Sequence, residues 1–546
     1  MRHAVLLIVT ALGVFPDAAR AQDPVPVSAE WVGKWRADLD TAASQLERFH
    51  IDLYHTVSRD RFRVAIDSLK QAVPRLAHHE IVVELARIMV LIADGHTRLT
   101  LPLADGVEFF TGHANTPPPH VPGLAFRQYP LRVFLYDDGV FVRRVSTEHA
   151  EAAGMRVVAI GDHPIDDAMA MVAPTIRHDN AQQVRYLMPQ WLVIPEILHA
   201  RGVIQDMERV RYVLEDGNGR RRDLVLGPVP AGETVQWTDA RSGSGDLLSQ
   251  RHPGVNYWFE YLAGERLVYV RYAEVRVQEG RETIEEFAAR LYRFIDQNPV
   301  ERVVFDIRGN VGGNGEQNRP LLHGAIRSDK LRRPGSLFAI IDRGTFSAAL
   351  MFAMDLERHT PVIFVGETMG AKPNHYGDSR RLRLPNTGLT IRASTRYWQL
   401  SRPTDRRDAV APMIPVPVRS ADYATQNDPV LDAVLSFRPR PGQAAGRWSG
   451  VLGIRGRNFD IAVEITETSA GWSGVLSIPA LEVERATLRD VVVQGDEVRF
   501  TWVTPRDSID FVARAGAQRL IGFGFYTGFF YPVALERAEG REDREQ

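Results

Sequence analysis

Three side chains in this sequence are of types that carry out acyl transfer. Ser347 lies in "DRGTFSAALMFAMDL", between the apolar run "SLFAII" and a second apolar run. A serine at such a joint is either an N-cap or a nucleophile held at the positive end of a helix. A nucleophilic serine needs a base within hydrogen-bond reach. His96, in "ADGHT", has near-neutral basicity and leaves the end of a helical pattern. Lys372, in "VGETMGAKPNHYGD", follows the next apolar strand and works as a base only where burial lowers its pKa. Singly, each has a plainer role: a cap, a core histidine, a solvated lysine. G-x-S-x-G is absent around Ser347, which does not support an α/β-hydrolase elbow. The Gly-rich stretch "DIRGNVGGNGE" lets backbone N–H groups approach a ligand, as a phosphate cradle or an oxyanion hole. It has neither G-x-x-x-x-G-K-[ST] nor G-x-G-x-x-G, which disfavours a nucleotide site.

The elements that must position these residues follow from hydrophobic spacing. Trp31, Trp35, Leu39, Ala42 and Leu46 recur at helical spacing, as do Phe62, Ile66 and Leu69. A third helix over about 79–93 is expected to stop at a left-handed Gly95, fixing His96 in place. "GVFVRRVSTEHAEAAGMRVVAIGDHPIDDAM" holds two β-rich runs, a Gly turn and a short helix, an order similar to a PDZ-like module whose sheet edge can accept a peptide. "TDARSGSGD" reads as a linker or surface loop. Strand and helix then alternate from "RLVYVRY" to "PVIFV", which predicts a largely parallel sheet covered by helices. In such sheets sites form at the carboxyl ends of strands, where the Gly-rich loop and Ser347 both lie. After "RPRP" at 438–441 the chain turns to short β segments, with "WSGVL" at Trp448 and again at Trp472, and reads as an antiparallel barrel or sandwich.

Composition bounds the rest. The 546 residues suffice for several domains, and 44% hydrophobic with 25% charged residues is ordinary for a globular protein. A net charge of −2 argues against nucleic acid as the main partner. No cysteine is present, so disulfides, thiolate metal sites and a cysteine nucleophile are excluded. "MRHAVLLIVTALGVFPDAARAQDP" reads as a secretory signal, with Arg2, an apolar stretch too short to span a bilayer, and cleavage expected after Ala21. The mature chain is expected to be exported, without stable membrane insertion.

In that order, "FDIRGNVGG", "GTFSAA" and "FVGETMGAKPN", with "DGHT" upstream and "LPNTGLTIRAST" downstream, resemble the serine peptidases of the tail-specific and tricorn-core superfamily. The resemblance covers roughly residues 30–440. It implies a crotonase-like ββα core at 238–440, and with the reading above the expected chain is multidomain α/β: signal peptide 1–21, helical domain 22–105, PDZ-like α+β module 106–237, that core, and, outside the resemblance, a β-rich C-terminal domain 441–546. Carried over by position, Ser347 stands for the nucleophile, and Gly312 or Gly313 with the N–H of Ala348 for the oxyanion hole. Tail-specific members pair the serine with a lysine, here Lys372. Tricorn-like members use an upstream histidine, here His96, although Gly95 stands where their pattern has a serine. An acidic residue late in the core corresponds best to Asp405, with Asp408 as alternative. His96 is favoured as base, with Lys372 holding substrate or a carboxylate and His375 as a loop hydrogen-bonding residue. The expected activity is hydrolysis of peptides or unfolded protein without metal or organic cofactor. The alternatives are a peptide-binding protein without catalysis, and an esterase or amidase using the same serine.

Overall fold

The computed structural model describes residues 25–105, 107, 119–241, 247–403, 405–440, 442–454 and 457–538. The signal segment and most of the Ser/Gly linker lie outside the described residues. Among those described, no helix is long and apolar enough to cross a membrane.

At the centre is a six-stranded sheet in the order Ile414–Pro415, Ile363–Gly366, Leu337–Ile341, Arg302–Asp306, Leu267–Tyr272, Tyr257–Leu262. All its pairings are parallel except the last, where Tyr257–Leu262 runs antiparallel at the edge. The inner strands are continuous Val, Ile and Phe runs because both faces are buried. Helices Ile284–Gln297, Arg319–Arg327 and Ala348–His359 cover one face, with Phe287, Leu291, Leu321 and Phe352 in its core. Helix Pro429–Leu435 and two residues of the C-terminal β region, Ile521 and Ala534, close the other face over Val304, Phe338, Ile340 and Val365. The alternation read in the sequence is therefore present strand for strand.

The N-terminal helices form as their spacing predicts, at Ala29–Phe49, Arg59–Ala72 and His78–Val90. Trp35, Leu39, Ala42 and Leu46 face inward, while Trp31 is half-buried. The left-handed residue after the third helix is Ala93, at φ 56°, and not Gly95 as expected. Downstream, the strands Leu131–Tyr136, Gly139–Ser146, Arg156–Ile160, Val210–Glu215 and Arg221–Leu226 form one antiparallel sheet with helix Ile165–Val172 packed against it. The helices and this sheet share one continuous core of buried side chains. From Gly446 to Arg537 nine antiparallel strands make a nearly closed barrel, its interior filled by Trp448, Phe500, Trp502 and Phe511.

A three-stranded sheet joins the N-terminal helices to the part of the chain that follows the central sheet. Arg98–Leu99 pairs with Thr390–Gln399, which pairs with Asn374–Arg383. Its hairpin is tied down by Asp38 of the first helix, fully buried, whose carboxylate accepts from Asn386 N and Nδ2 and from Thr387 N and Oγ1 at 2.6–3.1 Å. Charged acceptors of this kind are strong, and removing one leaves buried donors unpaired. Asp38→Ala is expected to lower stability by about 2–4 kcal/mol, read as a reduced urea midpoint; an unchanged midpoint would show that water replaces the carboxylate.

Candidate active site

Ser347 occupies the N-cap position of helix Ala348–His359, but its side chain makes no capping hydrogen bond. Its backbone lies at φ 54°, ψ −122°, a conformation that costs a non-glycine residue on the order of 1–3 kcal/mol. The surrounding turn over-determines it. Phe346 N donates to Asn310 O, Thr345 N donates to Asp342 O, and Thr345 Oγ1 donates to Ile307 O. The twist aims Oγ away from the helix and at His96, whose Nε2 lies 3.0 Å from it. A serine that merely capped the helix would turn the other way.

His96 is supplied by the segment after the third helix, and that segment is fixed at every residue. Asp94, 3% exposed, accepts from the His96 backbone N–H (2.8 Å), Thr97 Oγ1 and His50 Nε2 (3.1 Å). Gly95 N donates to Asp179 Oδ1 at 2.7 Å, and Arg177 donates to Gly95 O. A Cβ at Gly95 would stand 2.6 Å from Gln183 Oε1 and 3.1 Å from Asp179 Oδ1. A serine there would have to displace Gln183 Oε1, which accepts from Asp179 N at 2.7 Å. The imidazole lies between two rings, Phe346 at 4.4 Å and His375 at 5.6 Å between centroids, both stacked.

The Gly-rich loop reaches the same place from the strand Arg302–Asp306. Its start is anchored by buried Asp306, which accepts from Tyr269 OH, Arg308 and Arg271. Burial opposes the charged form of Asp306, and these cations and hydrogen bonds more than offset that, holding its carboxyl below the ordinary range. Gly312, at φ 102°, runs so close to the helix that a Cβ would stand 2.7 Å from both Ala348 N and Ser347 Cβ. The Gly312 N–H donates to Asn310 Oδ1 at 2.9 Å, so it is engaged within the loop. The N–H groups of Gly313 and Ala348 have no backbone or side-chain acceptor among the described residues.

The structure thus brings together Ser347, His96 and the Gly312–Gly313 loop with Ala348. It does not bring in the other candidates. The Lys372 ammonium, 34% exposed, lies 3.4 Å from Asp408 Oδ1 and bonds neither Ser347 nor His96. Asp405 accepts from Ser401 and from Arg407, which also pairs with Glu357. Neither acid reaches His96, whose Nδ1 is buried without a partner. His375 is a correction too: it sits in the strand Asn374–Arg383, 3% exposed, and neither ring nitrogen makes a hydrogen bond of ordinary geometry. Asp94, Gln183 and the arginines nearby were not singled out by the sequence reading, which took His375 for a loop hydrogen-bonding residue.

Burial sets the electrostatics. It pushes His96 down to about 3, with His375 and the cations Arg177 and Arg98 adding to the effect against the opposing pull of Asp94. It pushes His375 down to about 4, and His79, beside His199 in the N-terminal region, down to about 4. Asp179 is pushed up to about 7 by burial and by the Asp94 charge.

No family model matches the chain, and no curated protein matches it in sequence. Solved structures do match. Mature CPAF is 12% identical, with a TM-score of 0.51 over 74% of this chain and 96% of that one. CPAF complexed with lactacystin is 13% identical, with a TM-score of 0.50 over 72% and 96%. The photosystem II D1 C-terminal processing protease is 14% identical, with a TM-score of 0.34 over 72% and 94%. Likeness to CPAF at this level is a shared fold.

The pKa shifts give a stability prediction. His96, His375 and His79 stay neutral in the folded chain where the unfolded chain, with values near 6.5, takes up protons. Their contribution is complete above about pH 6.5 and is lost as pH falls toward 4. Asp179 acts oppositely: its contribution is present below about pH 4 and is lost as pH rises through 7. Three groups oppose one, so the urea midpoint should fall between pH 7 and 5, and His375→Phe should flatten that slope. A midpoint independent of pH would contradict the assignment.

Proposed function

We propose that a chain with the CPAF fold and this serine–histidine pair is a serine peptidase, exported by its N-terminal signal and acting on peptides or unfolded protein. The observation that carries the reading is the 3.0 Å contact between Ser347 Oγ and His96 Nε2, beside two unengaged backbone N–H groups. In this mechanism Nε2 of neutral His96 takes the hydroxyl proton while Ser347 Oγ bonds to the peptide carbonyl carbon. The N–H groups of Gly313 and Ala348 stabilise the oxyanion that forms. The tetrahedral species collapses by breaking the C–N bond, and the departing amine takes the proton from His96. Water then repeats the sequence on the acyl-enzyme, releasing a carboxylic acid and restoring the serine.

For Nε2 to accept, the ring proton sits on Nδ1, which finds no acceptor among the described residues. The pair therefore works as a dyad, its imidazole held by Phe346, His375 and the backbone of the Asp94–Thr97 turn. Lys372, paired with Asp408, has no part in the chemistry.

Degradation of an unfolded protein and labelling by a neutral fluorophosphonate test this directly. Ser347→Ala should abolish both, His96→Ala should slow both by about 10²–10⁴-fold, and Lys372→Ala should change them by less than about threefold. Loss in Lys372→Ala with survival of His96→Ala would replace the base. A folded wild type that neither labels nor cleaves would leave a peptide-binding protein. Cleavage of esters but of no peptide would make it an esterase.

The pH dependence of labelling is a separate check. Because His96 is held well below its ordinary value, it remains a neutral base as the pH is lowered, and the labelling rate should stay level from pH 8 to 5.5. A decline centred near 6.5 would mean that the imidazole is not desolvated.

A further inference from the structure

The cavity that contains Ser347 and His96, about 150 Å³, is walled by cations. Arg98, Arg177, Arg343 and Arg392 line it, together with Ser379 and Tyr186. Of the four, only Arg343 has a carboxylate partner among the described residues, Glu367. Arg177 donates to the Gly95 carbonyl, and Arg392 Nη1 donates to Ser379 Oγ at 3.3 Å. The Arg98 guanidinium makes no hydrogen bond or ion pair among the described residues, and its Nε is buried.

The sheet register makes this arrangement costlier still. Arg98 stands directly opposite Arg392, and Arg392 directly opposite Arg381, so three arginines form one row on one face across three adjacent strands. Like charges opposite one another in a sheet repel, and half-buried cations without a counter-charge lose hydration with nothing in return. The nearby carboxyls Asp94 and Asp179 offset part of this charge through space, but among the described residues they form no ion pair with Arg98, Arg177 or Arg392. Asp94 is committed to His50, Thr97 and the His96 backbone, and Asp179 to Gly95 N. A charge arrangement that the folded chain leaves unbalanced beside its reactive serine is one that a ligand can balance.

We propose that Arg98 and Arg392 of this row bind the carboxylate of an aspartate or glutamate side chain next to the scissile bond, so that the enzyme cuts beside acidic residues. The proposal rests on the peptidase reading and names its substrate class. The carboxylate must adjoin the cut because Ser347, His96, Arg98 and Arg392 line one cavity. Guanidinium groups suit it because their planar N–H pairs match a carboxylate in two-point hydrogen bonds. An uncharged amide of the same shape would leave the cations unpaired.

The test is to digest a proteome-derived peptide library with the mature protein and map the cut sites by mass spectrometry. Synthetic peptides differing only in Glu or Gln at the cut are then compared. Cuts should be enriched beside Asp and Glu over Asn and Gln, and Glu→Gln in the peptide should lower kcat/KM by about tenfold or more. In Arg392→Gln and, independently, Arg98→Gln, each verified as folded by its melting temperature, that ratio should shrink toward one. Equal cleavage of the Glu and Gln peptides overturns the proposal. So do cuts at a fixed distance from the peptide end that vanish on C-terminal amidation, because the carboxylate is then the free terminus. Fluorophosphonate labelling of wild type separates the two readings. An enzyme that labels and cuts peptides without preferring acids refutes only the arginine proposal, whereas one that labels but cuts no peptide of the library refutes the peptidase reading with it. An enzyme that neither labels nor cleaves refutes the peptidase reading as well.

Discussion

The site depends on one constrained residue. Ser347 must hold a left-handed backbone at the point where a parallel strand turns into a helix, because only that twist sends its hydroxyl out of the helix axis. The strain is tolerated because the turn is gripped on several sides, by Asn310 from the Gly-rich loop, by Asp342 and Ile307, and by the Phe346 ring against His96. Those supports in turn need the parallel sheet, since only adjacent strands ending at the same edge place the loop after Asp306 and the turn after Ile341 together. His96 arrives from 251 residues away in the sequence. Its position is set by contacts of the Asp94–Thr97 turn, which is why the N-terminal region and the sheet share a boundary at the Ser347 hydroxyl.

Much of this was legible in the chain itself. The strand–helix alternation from Leu267 to Gly366 follows from β-branched runs separated by amphipathic segments, and the structure repeats it element by element. Ser347, His96 and the paired glycines were singled out because their motifs occur in a family order, and the fold brings them together. Side-chain destinations were less legible. Lys372 and Asp405 lie near the right strand ends in sequence, yet each is captured by a local ion pair, Lys372 with Asp408 and Asp405 with Arg407. Such pairings depend on loop paths of a few residues, which spacing does not encode. His375 was read as a loop residue because "PNHYGD" is polar, whereas pairing with Thr390–Gln399 makes it strand and buries its ring.

The arginine row shows a similar limit. "SRRLRLP" and "TIRAST" each look like ordinary strands with a solvated face. Nothing in either says that Arg381 and Arg392 will be opposite one another, or that Arg98 will complete the row from the far side of the chain. Register is a tertiary property, fixed here by the hairpin that Asp38 grips and by the short strand after His96. The short strand and the turn before it thus place one of the cations and His96, with a single residue between them.

That adjacency couples binding to basicity. An imidazole held near 3 is a weak general base at neutral pH, since proton transfer is most effective when the base is matched to its surroundings. Burial is the largest cause of the depression, but Arg177 and Arg98 contribute to it. A carboxylate seated among the arginines would offset their field and place a negative charge near the ring, and both effects raise the basicity of His96. The imidazolium that forms as Ser347 attacks would gain the same stabilisation. A neutral residue in the cavity would supply neither. In this arrangement the charge that recognises the substrate also tunes the base, so discrimination between an acid and its amide would be expressed in the chemical step as well as in binding.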